Sequence, residues 1–426
     1  MPMPRTSESE YEYDRRRMRQ WFAGEARADG VDRRELLRLA GASAALGALP
    51  TVAQSVLPGA AAVAHAAAGI VKPLPPEWFT VRGTNAEARF DALGDTGYHT
   101  PAERFFVRNH TTTPLLDAAT WTLTVWGDGL RGEPLVLGLD DLRELPAVTR
   151  SAVVECAGNG RSLFGTQQGR TGSGTAWTMG AIGAARWRGA RLSDVLRAAG
   201  VRRTAVDVMP RGLDAAYTTP EGAELGRVRR PLPLGKALDD VILAYEMNGE
   251  PLPPDHGHPV RVVVPNWVGI ASIKWVGDIE VSATPLYSPW NTSFYRLWGD
   301  SYPPEGSAPL TRQTLKSVFE LPWNATLDAG LRHRLTGRSW SGAGGVVRVE
   351  TSTDGGERWR AARLLDPPRS AGWVRWHTDW RPTAPGPATL MSRATDTTGR
   401  TQPPTTPHNI QGYLFDAIVR HPVTVR

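Results

Sequence analysis

Cysteine is almost absent from this chain, because Cys156 is the only one in 426 residues. A single cysteine excludes an intramolecular disulfide, a Cys-x-x-Cys-His haem attachment site and any zinc or iron–sulfur site built from cysteines alone. Cys156 therefore has no second thiol from the same chain to work with. Its role must be sought in the residues around it.

Long apolar runs and a strong charge imbalance are also missing. No segment after residue 68 is long and apolar enough to span a bilayer. The 49 basic residues are offset by 43 acidic ones, and beyond the N-terminal region they are scattered without the aromatic alternation typical of nucleic-acid binding. The net charge of +6 is compatible with a small anionic substrate or an acidic protein partner.

Turn-forming residues are abundant and indicate the fold class. A chain of 426 residues exceeds one ordinary core, so two domains are expected. The 35 prolines and 44 glycines predict many turns and a large β content. Short helices mixed with short strands predict an α+β domain over residues 70–304. The strand-and-turn spacing of residues 305–426 predicts an all-β sandwich, and residues 1–69 are the predicted leader.

The N-terminal region has the pattern of an export signal. Arg33-Arg34 precede a weakly apolar stretch over residues 39–68. This pattern is typical of a twin-arginine signal, with small-residue cleavage sites at 62–64 or 66–68. It predicts an exported protein in the periplasm or another extracytoplasmic compartment. The alternative is an Ala-rich amphipathic helix that merely follows two arginines.

Cys156 lies at the end of a predicted strand. Val153 and Val154 have the β-branched character of a short buried strand, and the Gly-Asn-Gly run at 158–160 ends it. Arg161 brings a fixed cation near the thiol, which favours the thiolate. A lone cysteine is more often a small buried apolar side chain, but such a residue requires neither the turn nor the arginine.

The run from Cys156 to Arg161 resembles the metal-ligand segment of the sulfite oxidase family, whose pattern is Cys-Ala-Gly-Asn-x-Arg. The similarity continues through residues 177–182, 185–189 and 192–196. In that family the cysteine thiolate binds molybdenum, which the dithiolene of molybdopterin also holds. A soft thiolate suits such a sulfur-rich shell. The resemblance therefore implies a molybdenum–molybdopterin cofactor with Cys156 as the protein ligand.

Further segments resemble the cofactor site of that family. Residues 105–107 predict a short apolar strand that runs into Arg108-Asn109-His110, and the family has Arg-Asn-His at this point. Without the resemblance, Arg108 and His110 are ordinary strand-end residues. The cofactor-binding residues that the resemblance implies are Phe106, Val107, Arg108, Asn109, His110, Cys156, Asp214, His256, Arg261, Ser272, Ile273 and Lys274. Of these, His256 and Arg261 are implied for the pterin phosphate and ring, and a cationic side chain suits a phosphate.

The resemblance also implies an oxyanion pocket, formed by Arg108, Arg161, Trp177, Tyr295 and Gln411. Tyr295 stands in Phe-Tyr-Arg where the family has Asp-Tyr-Lys, and its phenol could hydrogen-bond a substrate oxygen. Gln411 is a departure, because the family has an arginine there in Trp-Asn-x-Arg-Gly. The lysine that animal members carry before Trp177 is absent as well, although Arg170 lies nearby. Both departures weaken the prediction of sulfite as substrate and leave the molybdenum prediction unchanged.

Residues 305–426 resemble the immunoglobulin-like domain that follows the cofactor domain in this family. That domain usually mediates dimerisation, so a homodimer is expected. Strand-like runs at 346–350, 373–376 and 388–391, with a hairpin turn at 354–356, carry the resemblance.

These features predict an exported molybdopterin-dependent oxidoreductase that oxidises sulfite, or a related sulfur oxyanion, to sulfate by oxygen-atom transfer at molybdenum. No haem, flavin or nicotinamide domain is expected, so electrons would pass to a separate carrier such as a c-type cytochrome. Nucleic acid is not an expected partner. One alternative is the same cofactor used on another substrate, such as reduction of a sulfoxide. The other is a cofactor-free immunoglobulin-like binding protein.

Overall fold

The computed structural model describes residues 69–426. The predicted export signal, with Arg33-Arg34 and both predicted cleavage segments, lies outside the described residues. Within residues 69–426, the structure contains no helix with the length and apolar character needed to cross a membrane.

Up to residue 304, short strands alternate with short helices and turns. The strands are β1 (Phe79–Arg82), β2 (Asn85–Ala88), β3 (Thr122–Trp126), β4 (Leu135–Gly138), β5 (Ala147–Glu155), β6 (Ile182–Arg191), β7 (Asp207–Gly212), β8 (Tyr217–Thr218), β9 (Glu224–Gly226), β10 (Leu232–Pro233), β11 (Ile242–Met247), β12 (Glu250–Pro251), β13 (Arg261–Val263) and β14 (Val276–Ser282). The α-helices are α1 (Leu139–Glu144), α2 (Arg161–Gln168), α3 (Leu192–Ala198), α4 (Leu234–Asp239) and α5 (Pro289–Thr292). Short 3-10 helices are Phe90–Leu93, Ala102–Arg104, Pro254–His256 and Gly269–Ala271.

Two sheets organise this first domain. One has the order β10-β7-β14-β3-β4, in which β14 and β3 run parallel. The other has the order β12-β11-β6-β5, and β13 adds to β11. Apolar side chains from both sheets and from α3 form one core, to which Val125, Ile279, Leu196 and Leu243 contribute. Burying each such side chain stabilises the fold by about 1.5–3 kcal/mol, so this core fixes the sheets that carry the site.

The hairpin of β5 and β6 places Cys156. The two strands pair from Ala147 opposite Ala190 to Glu155 opposite Ile182. Cys156 is the first residue after β5, which confirms its predicted position at a strand end. Its backbone N–H still donates to the Ala181 carbonyl, 2.9 Å away.

The glycines that follow Cys156 are required by the packing of the turn. A Cβ on Gly158 would lie 2.5 Å from the guanidinium of Arg161, and Gly160 has φ of +94°. Asn159 closes the turn, because its N–H donates to the Cys156 carbonyl at 2.9 Å. The Gly-Asn-Gly run therefore serves a compact loop against which Arg161 folds back.

The second domain is all β. Its strands are β15 (Lys316–Phe319), β16 (Ala325–Leu327), β17 (His333–Trp340), β18 (Val346–Ser352), β19 (Arg360–Ala361), β20 (Arg363–Leu364), β21 (Trp373–Trp380), β22 (Gly386–Asp396) and β23 (Arg420–Val425). They form two sheets, β15-β17-β21-β20 and β16-β23-β22-β18-β19. The predicted architecture, a mixed α/β domain followed by an all-β domain, is confirmed. The immunoglobulin-like topology and the predicted domain boundaries stay predictions.

The two domains share a packed seam. Val153 and Phe164 of the first domain lie in one apolar cluster with Trp340, Trp373 and Phe415 of the second. This seam lies directly behind the strand and helix that flank Cys156, so the second domain supports the loop that carries the thiol.

The predicted strand over residues 105–107 is wrong. Val107 makes a single isolated bridge with Ala86, and the preceding residues end a 3-10 turn. The apolar pattern at Phe105 and Phe106 reflects burial in the core and not a strand. The two rings stack there with their centroids 5.4 Å apart.

Candidate active site

A deep pocket opens where β5 ends, between the two sheets of the first domain. It holds about 730 Å³ of space, part of it open to solvent. The lining comprises residues from seven separate parts of the chain: Phe105, Phe106, Arg108, Asn109, His110, Val154, Cys156, Ala157, Asp214, Val228, Asp255, His256, Arg261, Gly269, Ile270, Ser272, Ile273, Lys274, Trp275 and Tyr295. All the residues predicted for the cofactor line it except Val107, whose side chain is fully buried in the adjoining core.

One end of the pocket combines Cys156, Arg108 and Tyr295. Burial raises the pKa of the Tyr295 phenol, with Arg108 partly offsetting this effect, so the hydroxyl stays protonated at neutral pH. Burial alone would lower the pKa of Arg108, but the neighbouring acidic groups of Tyr295 and Cys156 raise it. Arg108 therefore remains a cation, and this end of the pocket presents a guanidinium, a phenol and a thiol.

His110 holds Arg108 in place as a neutral imidazole. Its Nε2 lies 3.0 Å from Arg108 Nη2 and also accepts a hydrogen bond from Trp290 Nε1 at 3.0 Å. Burial and the adjacent Arg108 lower the pKa of His110 well below its usual range. A ring nitrogen that accepts from two donors cannot carry a proton, so His110 orients the guanidinium without adding charge.

The other end of the pocket is rich in buried basic groups. Arg261 Nη1 donates to the His256 carbonyl and Nη2 to the Ser272 carbonyl, both at 3.1 Å. Lys274 Nζ donates to the Asp255 carbonyl at 2.8 Å and to Asn109 Oδ1. Burial lowers the pKa of Arg261 to about 9 and that of Lys274 well below its ordinary value. Both side chains are thus held away from water and donate to neutral partners.

Three residues predicted for the substrate pocket do not line it, namely Trp177, Arg161 and Gln411. Trp177 is buried in the core, with its ring edge against Phe106 at a centroid distance of 6.5 Å. Arg161 donates from Nε to the backbone carbonyl of Gln411 and from Nη1 to the backbone carbonyl of Thr175, each at 2.7 Å. These side chains form a layer behind the pocket, because the turn after Cys156 folds Arg161 back onto the loop around Gln411.

Comparison with known proteins follows the same division of the chain. Residues 110–290 match the oxidoreductase molybdopterin binding domain, and residues 316–426 match the Mo-co oxidoreductase dimerisation domain. Sulfite oxidase of Gallus gallus is 36% identical over 355 residues, which cover 78% of this chain and 74% of that protein. The chain belongs to the sulfite oxidase family. The family assignment and the predicted molybdopterin cofactor are thereby confirmed.

Further relatives show how far the similarity extends. Mitochondrial sulfite oxidase of Homo sapiens is 38% identical over 79% of this chain, and the match spans 63% of the human protein. An NADH nitrate reductase of Ulva prolifera is 31% identical over 75% of this chain and 39% of its own length. Among solved structures, the sulfane dehydrogenase SoxCD of Paracoccus pantotrophus has a TM-score of 0.68 at 28% identity, covering 88% of this chain and 94% of that one.

The pocket fits the molybdopterin of the sulfite oxidase family. Asp214 and Asp255 are the carboxylates among the lining residues, and burial raises the pKa of Asp214 to about 6. Arg261 and Lys274 donate to backbone carbonyls and to the Asn109 amide, and neither donates to one of these carboxylates. A phosphate would give these basic groups the anionic partner that they do not bond directly. Arg261, Lys274 and the neighbouring His256 would hold the phosphate end, and the thiolate of Cys156 would bind the metal.

Sequence reasoning missed two residues at the phosphate end, Lys72 and Asp255. Lys72 Nζ lies 3.3 Å from His256 Nε2 and donates to the Phe105 carbonyl. The Asp255 carboxylate accepts from the backbone N–H of Val71 at 3.0 Å and of Lys72 at 2.8 Å. Burial lowers the pKa of Lys72 to about 7. Since Asp255 precedes His256 directly, its position beside a predicted ligand was the one available signal.

Tyr413 was missed as well. It follows Gln411 by two residues, its ring lies against that of Tyr295, and the guanidinium of Arg161 lies 5.2 Å from its centroid. Burial raises the pKa of Tyr413, so its phenol is protonated. The departure from the family pattern at Gln411 was the signal that this segment differs.

Proposed function

We propose that this chain is an exported molybdopterin-dependent oxidoreductase that oxidises sulfite, or a related sulfur oxyanion, and passes the electrons to a separate carrier. In the overall reaction, sulfite and water give sulfate, two protons and two electrons. The observation that carries this proposal is the grouping of the Cys156 thiol, the Arg108 guanidinium and the Tyr295 phenol at one end of a pocket whose other end suits a phosphate. Sulfite oxidases among the relatives support the substrate class.

The chain's own residues would bind and orient the substrate. When bound, the molybdenum of molybdopterin supplies two-electron oxygen-atom transfer. Arg108 is oriented by His110, so its planar guanidinium can hold an oxyanion through two hydrogen bonds. Tyr295 donates a third hydrogen bond from its protonated phenol. Because these donors are buried, they interact with an anion more strongly than they would in water.

A second candidate substrate is a neutral or singly charged oxygen donor such as a sulfoxide. The observation that favours it is the state of Arg161, whose Nε and Nη1 donate to backbone carbonyls and not toward the pocket. The adjacent Gln411 carries no charge, so Arg108 supplies most of the positive charge near the substrate end. A dianion is bound best by several fixed cations, whereas a neutral oxygen donor needs fewer.

Export and electron transfer complete the proposal. The Arg33-Arg34 pattern supports folded-state export, which suits a cofactor inserted before translocation. The electron acceptor would be a separate protein such as a c-type cytochrome. The match of residues 316–426 to a dimerisation domain supports a homodimer formed through the second domain.

Metal analysis and substrate kinetics test this function. Protein matured in a host that makes molybdopterin should contain equimolar molybdenum and pterin, and sulfite should reduce ferricyanide in its presence. Reduction of sulfoxides without oxidation of sulfite would establish the second candidate instead. Protein that folds in such a host but contains no molybdenum would overturn both.

A further inference from the structure

A buried ion pair joins the second domain to the loop that carries Cys156. Lys316, at the start of β15, donates from Nζ to Glu155 Oε1 at 2.7 Å and to the Asn159 carbonyl at 2.8 Å. Glu155 and Asn159 flank the turn of Cys156 on either side. Both partners of the ion pair are 3% exposed, so solvent does not screen their attraction.

Three further hydrogen-bond donors complete this contact. Trp340 Nε1, from β17, donates to Glu155 Oε2 at 3.0 Å, and Asn159 Nδ2 donates to Glu155 Oε1 at 3.0 Å. The backbone N–H of Leu414 donates to the Ala157 carbonyl at 2.8 Å. The second domain thus holds the residues immediately before and after the thiol.

We infer that Lys316 and Trp340 are positioning residues for Cys156, so that the second domain completes the metal-binding geometry of the first. This inference rests on the proposed function, because it takes Cys156 as the metal ligand. Glu155 has no role in the pocket itself, yet its two oxygens accept from three side chains drawn from both domains. A carboxylate so fully bonded fixes the direction in which the chain leaves β5, and Cys156 is the next residue.

If Lys316 and Trp340 only stabilised the fold, their loss would not affect the thiol more than the loss of other buried residues at the domain seam. The seam contains two such residues that serve as matched controls. Arg338 also belongs to the second domain, forms a buried ion pair with Glu320 and donates to the Leu93 carbonyl of the first domain. Trp373 likewise donates across the seam, from Nε1 to the Tyr98 carbonyl at 2.8 Å. Neither group contacts the loop of Cys156, so their loss should lower stability without releasing the thiol.

The test compares two pairs of substitutions in the full chain, Lys316→Met with Arg338→Met and Trp340→Phe with Trp373→Phe. The first readout is the alkylation rate of Cys156 in cofactor-free protein, measured well below the unfolding temperature. We expect Lys316→Met to raise this rate by at least about tenfold and Trp340→Phe by about threefold, because loss of either contact lets the loop open and exposes the thiol beyond its access through the pocket. Arg338→Met and Trp373→Phe should stay within about twofold of wild type.

The second readout is the visible absorption of the thiolate–metal bond in cofactor-loaded protein. It should shift in the Lys316 and Trp340 variants and stay unchanged in the two controls. Alkylation rates equal to those of the controls would overturn the positioning role. If Lys316→Met fails to fold, Trp340→Phe decides, because it leaves the ion pair intact. Absence of molybdenum from wild-type protein would refute the proposed function alone, since the thiol readout needs no cofactor.

Discussion

The rings of Tyr295 and Tyr413 lie face to face, with centroids 5.1 Å apart and planes 12° from parallel. Tyr295 lines the substrate end of the pocket. The ring of Tyr413 also contacts the guanidinium of Arg161, which lies 5.2 Å from its centroid. The stack therefore connects the pocket to Arg161, which does not line it. Tyr413 is the link through which the segment around Gln411 reaches the substrate site.

Removing the ring of Tyr413 should impair substrate binding more than removing its hydroxyl alone. Tyr413→Ala deprives Tyr295 of a contact worth about 0.5–1.5 kcal/mol, which corresponds to a loss of about 2–10-fold in kcat/KM for the best substrate. Tyr413→Phe keeps the stack and should retain kcat/KM within about twofold. Steady-state kinetics of both variants check this. An equal loss in both would show that the Tyr413 hydroxyl, and not the ring, contacts substrate.

Cys156→Ser should separate metal binding from pterin binding. Serine lacks the soft thiolate that the metal needs, so turnover should fall to background. The pterin should remain, because its phosphate would be held by Arg261, Lys274 and His256 at the other end of the pocket. Fluorescence of released pterin and metal analysis of the same sample measure the two separately. Full activity in this variant would remove Cys156 from the role of ligand.

The loop of Cys156 could be predicted from sequence because its determinants are local. Strand-forming valines, a Gly-Asn-Gly turn and Arg161 lie within nine residues of one another. The residues at the cofactor end of the pocket were predicted from short segments that resemble the family pattern. Residue type and near neighbours were sufficient to place Cys156 and the predicted cofactor residues other than Val107, whereas Arg161 was wrongly placed in the pocket lining.

The remaining contacts depend on distant parts of the chain. Lys72 Nζ lies beside His256 Nε2, which is 184 residues further along the chain. Arg161 Nε donates to the backbone carbonyl of Gln411, which is 250 residues further along the chain. The stack of Tyr413 on Tyr295 depends on how the second domain docks. Such pairings are set by tertiary packing, and no spacing in the sequence encodes them. The failure at residues 105–107 has the same origin, because core burial and strand alternation both select apolar residues.

Stability of the cofactor-free chain should rise with pH above neutrality. Burial lowers the pKa of Lys72 to about 7 and that of Lys274 below its ordinary value. Between about pH 7 and 10 the unfolded chain keeps the Lys72 proton and the folded chain has released it, so stability rises by up to about 1.4 kcal/mol per pH unit. The lowered pKa of Lys274 acts in the same direction. Thermal unfolding at several pH values measures this slope.

Two comparisons identify the source of that slope. Lys72→Met should flatten it, whereas Lys236→Met should not, because Lys236 pairs with Asp240 outside the pocket. Bound molybdopterin should flatten it as well, since a phosphate stabilises the protonated lysines. A slope that is the same with and without cofactor would contradict the assignment of these cations to the phosphate.

Export should depend on Arg33 and Arg34. Replacing both with lysine keeps the charge but removes the twin-arginine pattern, so active enzyme should accumulate in the cytoplasm. Replacing Arg16 and Arg17 in the same way is the matched control, because those residues precede the signal pattern. Cell fractionation with immunodetection gives the distribution. Unchanged export of the Arg33 and Arg34 double variant would refute the signal assignment.

Gln411→Arg should convert the enzyme toward tighter sulfite binding. Gln411 is 7% exposed, and its backbone carbonyl accepts a hydrogen bond from Arg161 Nε. Its side-chain Oε1 has no hydrogen-bond partner among the described residues. Gln411 lies behind the pocket lining, so the prediction requires the longer arginine side chain to reach the substrate end. A charge-assisted hydrogen bond is worth about 1.5–3 kcal/mol and a neutral one about 0.5–1.5, so a cation that reaches sulfite should lower its KM by up to about tenfold.

The same change should make that KM rise more steeply with ionic strength, because more of the binding is electrostatic. Gln411→Met is the control, since it removes the unpaired Oε1 without adding charge and should leave the KM unchanged. Kinetics of the three proteins at two salt concentrations distinguish the outcomes. If Gln411→Arg raises the KM while its cofactor content stays normal, the buried charge is not meeting an anion. Sulfoxide turnover by the wild-type enzyme would then indicate that the natural substrate is not a dianion.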